Sequence, residues 1–114
     1  MQYRGSCHCG QVKISFQGEF GAALSCNCSI CARKGSLLWF MPREALQLSG
    51  ENELTTYTFN KHVIKHRFCK HCGVQPFGEG VDPKGNATAA VNIRCLEDFD
   101  FTQVPQQPWD GRSR

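Results

Sequence analysis

The chain has 114 residues, of which 40% are hydrophobic, and a formal net charge of +3 at pH 7. This length is that of one ordinary domain, and so weak and scattered a charge excludes a nucleic-acid-binding footprint. Leu, Ile, Val and Phe make up about 22% of the chain, enough for one modest core, so the eight cysteines are expected to help hold the fold.

Short strand-like segments fill the first half of the chain. Val12, Ile14 and Phe16 alternate with polar residues, a pattern that predicts a half-buried strand. A mostly apolar run of strand length ends at Pro42, which favours the start of one helical turn. The other elements expected here are short strands over 22–26 and 36–41, a turn over 32–35 and the helical turn over 42–46.

The second half of the chain also has the pattern of strands and turns. Residues 60–62 separate two strand-like runs, which predicts a β-hairpin. Ala89, Val91, Ile93 and Cys95 alternate along a later run and are expected on one face of a strand. The predicted elements are strands over 54–59, 63–68 and 87–96, an extended segment over 75–78 and a turn over 82–86.

The tail over residues 102–114 is rich in Pro, Gln and Arg and has no periodicity. Nowhere does the sequence have the pattern of a long amphipathic helix, so the predicted class is all-β, built from hairpins. Because there is no repeat, linker or low-complexity stretch, we predict a single domain over 1–114, with a core over about 3–100.

The cysteines form three clusters and one singleton. Side chains two residues apart on an extended chain point to the same face, about 6.6 Å apart at the backbone, so their sulfurs can converge on one ion. In C-x-x-C a tight turn does the same. The positions are Cys7 and Cys9, then Cys26, Cys28 and Cys31, then Cys69 and Cys72, and finally Cys95.

Ligand counting suggests two different zinc sites. Gly10 and Gly73 directly follow the two outer clusters, where a positive φ lets backbone N–H groups turn towards the sulfurs, whereas Ala32 follows the middle cluster. The outer clusters together supply four thiolates, as in a closed structural site. The middle cluster supplies three, which leaves a position open for water or substrate, as in a catalytic site.

Two other arrangements of the cysteines stay open at this point. Cys95 can act as a fourth ligand that closes the middle site, or it can be a small buried hydrophobe. All eight cysteines can instead form disulfides. We expect a cytoplasmic protein without a membrane span, because no stretch approaches about 18 apolar residues and the N-terminus has no apolar signal-like run. In the reducing cytoplasm, pairs of cysteines are more often metal ligands than disulfides.

Three motifs carry a resemblance to a known family. They are S-C-H-C-G over 6–10, C-N-C-S-I-C-A-R-K-G over 26–35 and R-F-C-K-H-C-G over 67–73. They resemble the glutathione-dependent formaldehyde-activating enzyme family, whose domain is shared with centromere protein V. The run V-N-I-R-C-L-E-D over 91–98 is similar to the family's last core strand. The resemblance covers about residues 3–100, and seven cysteines in the right order make it specific.

The resemblance implies a compact β-tent fold and two zinc ions per chain. It implies that the structural zinc is bound by Cys7, Cys9, Cys69 and Cys72, and the catalytic zinc by Cys26, Cys28 and Cys31. The family's named activity is the condensation of glutathione with formaldehyde to S-(hydroxymethyl)glutathione, a carbon–sulfur lyase reaction in reverse. The expected partners are therefore a small-molecule thiol and a small electrophile.

Several other side chains are candidates for the substrate site. Glutathione carries two carboxylates, and Arg33 and Lys34, directly after the middle cluster, are the expected cationic partners. His66 can act as an acid or base or be an ordinary surface histidine. Phe40 can wall a pocket or lie in the core, and Trp109 can fold back as a lid or pack in a dimer contact.

Two non-enzymatic functions compete with the lyase-like one. The domain can be a recognition module whose second zinc is also structural, as the relation to centromere protein V suggests. It can also be a thiol-based metal or redox sensor that uses a labile three-cysteine site as its switch. An open three-thiolate site favours the enzyme, and closure by Cys95 favours the recognition module.

Overall fold

A computed structural model describes residues 1–19, 21–59 and 61–111. Within these ranges the chain forms ten strands and one six-residue helix, α1 (Ser29–Lys34). The strands are β1 (Gln2–Ser6), β2 (Lys13–Gln17), β3 (Ala23–Cys26), β4 (Leu38–Pro42), β5 (Gln47–Ser49), β6 (Leu54–Tyr57), β7 (Lys65–Cys69), β8 (Phe77–Val81), β9 (Ala87–Asn92) and β10 (Gln106–Trp109). Short 3-10 turns lie at Arg43–Ala45, Glu51–Glu53, Ile93–Cys95 and Phe101–Gln103.

The strands form two sheets. The smaller has the order β1-β2-β5, and the larger has the order β10-β3-β4-β9-β8-β7-β6. Neighbouring strands are antiparallel except β10, which runs parallel to β3. The fold is therefore mostly β, as the sequence predicts. In the described part of the chain, the helix α1 has only six residues and is far too short to span a bilayer.

The main core contains side chains from both sheets. Ile14 and Phe16 are buried on one face of β2, as their alternation predicts, and Phe77 and Val91 are buried on the larger sheet. The Tyr3 ring stacks on Phe16 with centroids 5.4 Å apart, and the edge of a half-buried tryptophan meets both rings. Burial of these rings and the contacts between them stabilise the core.

Two predicted elements in the second half have the expected form. Strands β6 and β7 are antiparallel neighbours, as a hairpin requires, although Asn60 of the predicted connection lies outside the described residues. Ala89 and Val91 are buried on one face of β9, as predicted, and Ile93, just past the end of the strand, is buried as well. Cys95 does not continue that strand, because β9 ends at Asn92, whose side chain accepts from the Arg94 N–H and starts a 3-10 turn.

Other elements differ from the prediction. The turn predicted over 32–35 belongs largely to α1, which ends where Gly35 takes a left-handed conformation with φ of 69°. No pattern predicted β1 or β5. The tail contributes a 3-10 turn and β10, although its residues lack periodicity, because β10 pairs through its main chain at the sheet edge with its side chains exposed. Residues 112–114 of the tail lie outside the described part.

Candidate functional site

Four cysteine sulfurs from the two outer clusters converge. The sulfurs of Cys7, Cys9, Cys69 and Cys72 all lie within 4.8 Å of one another. Cys7 and Cys9 are 3.6 Å apart at Sγ, and Cys9 and Cys69 are 3.5 Å apart. These separations are far longer than a disulfide bond of about 2.05 Å. They are close to the edge of about 3.8 Å in a tetrahedron with metal–sulfur bonds of about 2.3 Å, so the donor set fits zinc.

Backbone geometry holds this first cluster in place. The loop from β1 to β2 closes with the Cys7 N–H donating to the Val12 carbonyl at 3.0 Å, and the turn after β7 closes with the Gly73 N–H donating to the Cys69 carbonyl at 2.8 Å. Gly10 and Gly73 have φ of 82° and 80°, as their positions after the clusters predict. The Val12 N–H also donates to the Cys7 sulfur at 3.4 Å, which stabilises a thiolate there.

The thiols of this first cluster differ in pKa. Burial acts to raise the pKa of the Cys72 thiol, but backbone N–H donors, chiefly that of Val74, lower it to about 6. The Gln11 N–H acts to lower the pKa of Cys9, but burial and the neighbouring Cys69 thiol raise it to about 12. Sulfurs this close cannot all ionise without a cation among them, and a thiophilic divalent ion meets that need.

The middle cluster forms a second group at the junction of β3 and α1. Cys26 ends β3, Cys28 is the N-cap of α1, and Cys31 lies within the helix, so the three sulfurs come within 4.8 Å of one another. The Cys28 N–H donates to the Cys26 sulfur at 3.4 Å. Burial and the neighbouring Cys28 raise the pKa of Cys31. In the described chain this group has three members, which is the ligand number of an open zinc site.

Cys95 does not belong to the three-cysteine group. Its thiol lies 3.7 Å from the Asn92 side-chain nitrogen and 3.9 Å from the Gln75 carbonyl. Burial raises the pKa of Cys95 to about 11, and the charges of Cys7 and Cys72, both in the first cluster, add to this. The arrangement in which Cys95 closes the middle site is therefore not the one that this fold adopts.

The C-terminal tail packs against the three-cysteine group. Strand β10 pairs with β3 so that Trp109 is opposite Cys26, and the Asn27 N–H donates to the Trp109 carbonyl at 3.1 Å. The Asn27 side chain donates to Asp110 at 3.0 Å. At Gly111 a Cβ atom would lie only 2.6 Å from the Cys26 sulfur. The sequence offered a folded-back Trp109 as one alternative, and Trp109 does line the cleft. The strand pairing of the tail was not predicted, because the tail has no hydrophobic pattern.

A cleft of about 690 Å³ opens beside the three-cysteine group. All three cysteines line it, and its walls are mainly apolar. This volume is within the range of sites for drug-sized ligands, roughly 300–1,000 Å³. The apolar wall residues include Leu24, Ile30, Leu38, Phe40, Ile64 and Trp109.

Of the two residues predicted to bind the carboxylates of glutathione, one lines the cleft and the other does not. Lys34 lines the cleft, where its ammonium donates to the Gln75 side chain and sits 5.6 Å from the Phe68 ring centre. Burial lowers the pKa of Lys34, with Cys31 acting in the opposite sense. Arg33 does not line the cleft and donates to the Ser29 carbonyl at 2.8 Å on the exposed side of α1.

His66 is a buried polar residue in the cleft wall. Its ring stacks on Phe59 at a centroid distance of 5.4 Å, and its Nε2 atom is buried without a hydrogen-bond partner in the described structure. Burial, together with the nearby charge of Lys34, lowers the pKa of His66. The surface-histidine interpretation is wrong for this residue, because register places His66 on the cleft face of β7 opposite Gly78.

Comparison with known proteins places this architecture in a family. The fold and its two thiol clusters define a small mostly-β protein with two candidate metal centres. The family profile of the glutathione-dependent formaldehyde-activating enzymes matches residues 2–109, and the chain belongs to that family. The chain is also similar to a Rhodobacter sphaeroides protein of known crystal structure, a structural-genomics target. The TM-score is 0.77 at 30% identity, over 91% of this chain and 99% of that one.

Proposed function

We propose that the protein is a zinc-dependent enzyme that joins glutathione, or a similar thiol, to an aldehyde, or cleaves the resulting adduct. The observation that carries this proposal is that all three sulfurs of the middle group line a cleft large enough for a tripeptide thiol. Membership of the formaldehyde-activating family supports the same chemistry. We assign a structural zinc to the first cluster, because its four thiols are the ligand number of a closed site.

The proposed division of roles follows from the residues around each cluster. A zinc ion on Cys26, Cys28 and Cys31 would supply a Lewis acid that favours the deprotonated form of a bound thiol. Lys34 is placed to pair with a carboxylate of the thiol substrate or with negative charge on oxygen during addition. Leu24 and other apolar wall residues exclude water. This strengthens the attraction of zinc for the thiolate and of Lys34 for negative charge on the substrate.

The proposed reaction is an addition without redox change. The sulfur electron pair forms a bond to the carbonyl carbon, the carbon–oxygen π bond breaks, and the oxygen takes up the proton that the thiol has lost. The product is a hemithioacetal, S-(hydroxymethyl)glutathione when the aldehyde is formaldehyde. Catalysis then requires positioning of both reactants and stabilisation of the oxygen charge.

The test compares two cysteine variants in the metal-loaded protein. NMR exchange measurements give the rate at which glutathione and formaldehyde combine, above the uncatalysed rate. We expect Cys28→Ser to lose about 100-fold or more of the acceleration, because it removes a donor from the open group. Cys95→Ser removes a thiol outside both clusters and should keep full activity. Equal rates in wild type and Cys28→Ser would refute the proposal.

A further inference from the structure

Exposed apolar side chains converge on the cleft. Among the described residues, seven large hydrophobic side chains are markedly exposed, and four of these line this one concavity. Single exposed apolar residues are ordinary on a protein surface, but their concentration in a cleft marks a ligand site. The four are Phe40, Ile64, Val81 and Trp109.

Small residues deepen the same region. Gly78 and Ala90 are directly opposite each other on β8 and β9, and Ala90 is opposite Phe40 on β4. Because paired residues share a face of the sheet, these positions form a floor with almost no side chain beneath the exposed apolar walls. A Cβ atom at Gly80 would already reach within 3.8 Å of the Ile64 side chain.

The charged groups of the cleft are few and mostly engaged. Lys34 is the single Lys or Arg among the described lining residues. Glu79 pairs with arginines at 3.1 Å and 2.7 Å, and Asp82 accepts from backbone N–H groups of its own turn. The two carboxylates are therefore already engaged within the protein, and the wall away from Lys34 offers apolar surface that formaldehyde, with one carbon, cannot cover.

We infer that the aldehyde this site takes carries an apolar body of several carbons, such as a linear alkyl chain, with glutathione or a similar thiol as the other reactant. This inference rests on the proposed function, because it names the second reactant of the same addition. The alkyl chain lies over the floor of Gly78 and Ala90 and against Ile64, while the thiol occupies the end with the three cysteines. Each methylene buried there raises the specificity constant about fourfold.

The chain offers a closely matched pair of variants. Val63 and Ile64 are neighbours, both β-branched and similarly exposed at 54% and 56%, yet only Ile64 lines the cleft. Ile64→Ser should lower the preference for hexanal over formaldehyde about fivefold, because it removes apolar surface from the wall. Val63→Ser should leave that preference unchanged. Circular dichroism of both variants checks that the fold is retained.

The experiment measures glutathione addition to formaldehyde, butanal and hexanal with the metal-loaded wild-type protein, each rate divided by the uncatalysed one. We expect the normalised rate to rise by about tenfold or more from butanal to hexanal. If formaldehyde and hexanal are accelerated equally, or if Ile64→Ser and Val63→Ser have the same effect, the inference is wrong and the proposed function stands. If no aldehyde is accelerated, the proposed function and the inference fail together.

Discussion

The imidazole of His66 is an unusual polar group for the wall of an apolar cleft. It is 9% exposed, stacked on Phe59, and its Nε2 atom has no hydrogen-bond partner among the described residues. An unpaired neutral polar atom is tolerable, but a buried charge is far more costly. Burial therefore favours the neutral imidazole and lowers the pKa of His66, and the nearby ammonium of Lys34 acts in the same direction.

This gives a pH-dependent contribution to stability with a definite sign. The pKa of His66 is lowered in the folded state, so the unfolded chain, with an ordinary imidazole pKa of about 6.5, binds more protons. The contribution of His66 to the free energy of unfolding should be fully present above about pH 6.5. Stability should fall as the pH decreases below that value. His66→Phe, which keeps a stacked ring, should make this dependence shallower in urea titrations between about pH 5.5 and 7.5.

The control for this prediction is the exposed His62, whose ring bonds to the Thr58 hydroxyl at 2.8 Å. Its backbone has a positive φ of 58°, which asparagine tolerates. His62→Asn should keep the wild-type pH dependence. A steep dependence that survives in His66→Phe would show that other groups, such as the thiols, cause all of it.

At Gly111 the addition of one carbon atom is expected to disturb the three-cysteine group. A Cβ atom there would lie 2.6 Å from the Cys26 sulfur and 3.1 Å from the Cys28 Cβ, so either the tail or the thiols must shift. We expect Gly111→Ala to lower metal occupancy of the three-cysteine group, with loss measured by mass spectrometry under non-denaturing conditions. Gly21→Ala, where a Cβ atom meets nothing within 4 Å, is the control and should bind as wild type.

An ion-pair network joins β7 and β8 of the larger sheet to the turn after β4. Glu79 on β8 accepts from Arg43 in the turn after β4 at 3.1 Å and from Arg67 on β7 at 2.7 Å. The Glu79 side chain is 22% exposed, so these charges are only partly screened by water. The network fixes β7, which carries both His66 and Cys69, relative to β8.

Removal of the shared carboxylate should leave two half-buried arginines without their partner. We expect Glu79→Ala to lower the free energy of unfolding by roughly 1–3 kcal/mol, less than for a fully buried pair because water still reaches the site. Urea denaturation measures this loss. The exposed Glu51→Ala should change it by less than about 0.5 kcal/mol. Equal effects of the two substitutions would mean that the network is energetically neutral.

The sequence predicts some of these elements well because their signals are local. Alternation of Ile14 and Phe16 identifies β2, and glycines after both outer clusters indicate the turns that bring their sulfurs together. Helix α1 was missed because its six residues are too few for a periodic pattern. Strand β10 was missed because all four of its side chains are exposed, so the strand has no alternation of apolar and polar residues.

The cleft could be predicted from the sequence only in part, because many of the contacts that form it are not local. The three cysteines that line it follow from their spacing, but its walls come from strands far apart in the chain. Whether Arg33 or Lys34 faces the cleft depends on the rotation of α1, and this in turn depends on contacts with Gln75 and Phe68. Such long-range contacts are decided by packing and not by local pattern.

At the scale of the whole molecule, the first cluster ties the N-terminal hairpin to the larger sheet. Cys7 and Cys9 belong to the loop after β1, whereas Cys69 ends β7 and Cys72 lies in the turn after it, so the cluster closes a long loop around a modest core. Structural zinc bound to four cysteines contributes about 10 kcal/mol or more to folding in small domains. The fold should therefore depend on this metal far more than on the metal of the open group.

Metal removal tests this difference. We expect a strong chelator to lower the melting temperature of the wild-type protein sharply, and Cys72→Ser to be unfolded or much less stable even with zinc present. Cys28→Ser, which affects only the open group, should melt within a few degrees of wild type. Thermal melts followed by circular dichroism measure all three. A wild-type protein that melts at the same temperature with and without chelator would contradict a structural role for zinc.

A native mass spectrum of wild-type protein and Cys28→Ser, each with and without glutathione, tests whether the three-cysteine group is the thiol site. It counts bound metal and bound thiol in one experiment. We expect two zinc ions and one glutathione on the wild-type chain, and one zinc ion without glutathione on Cys28→Ser. Glutathione that binds equally well to both proteins, or a wild-type chain with two zinc ions that binds none, would contradict the assignment of the three-cysteine group as the thiol site.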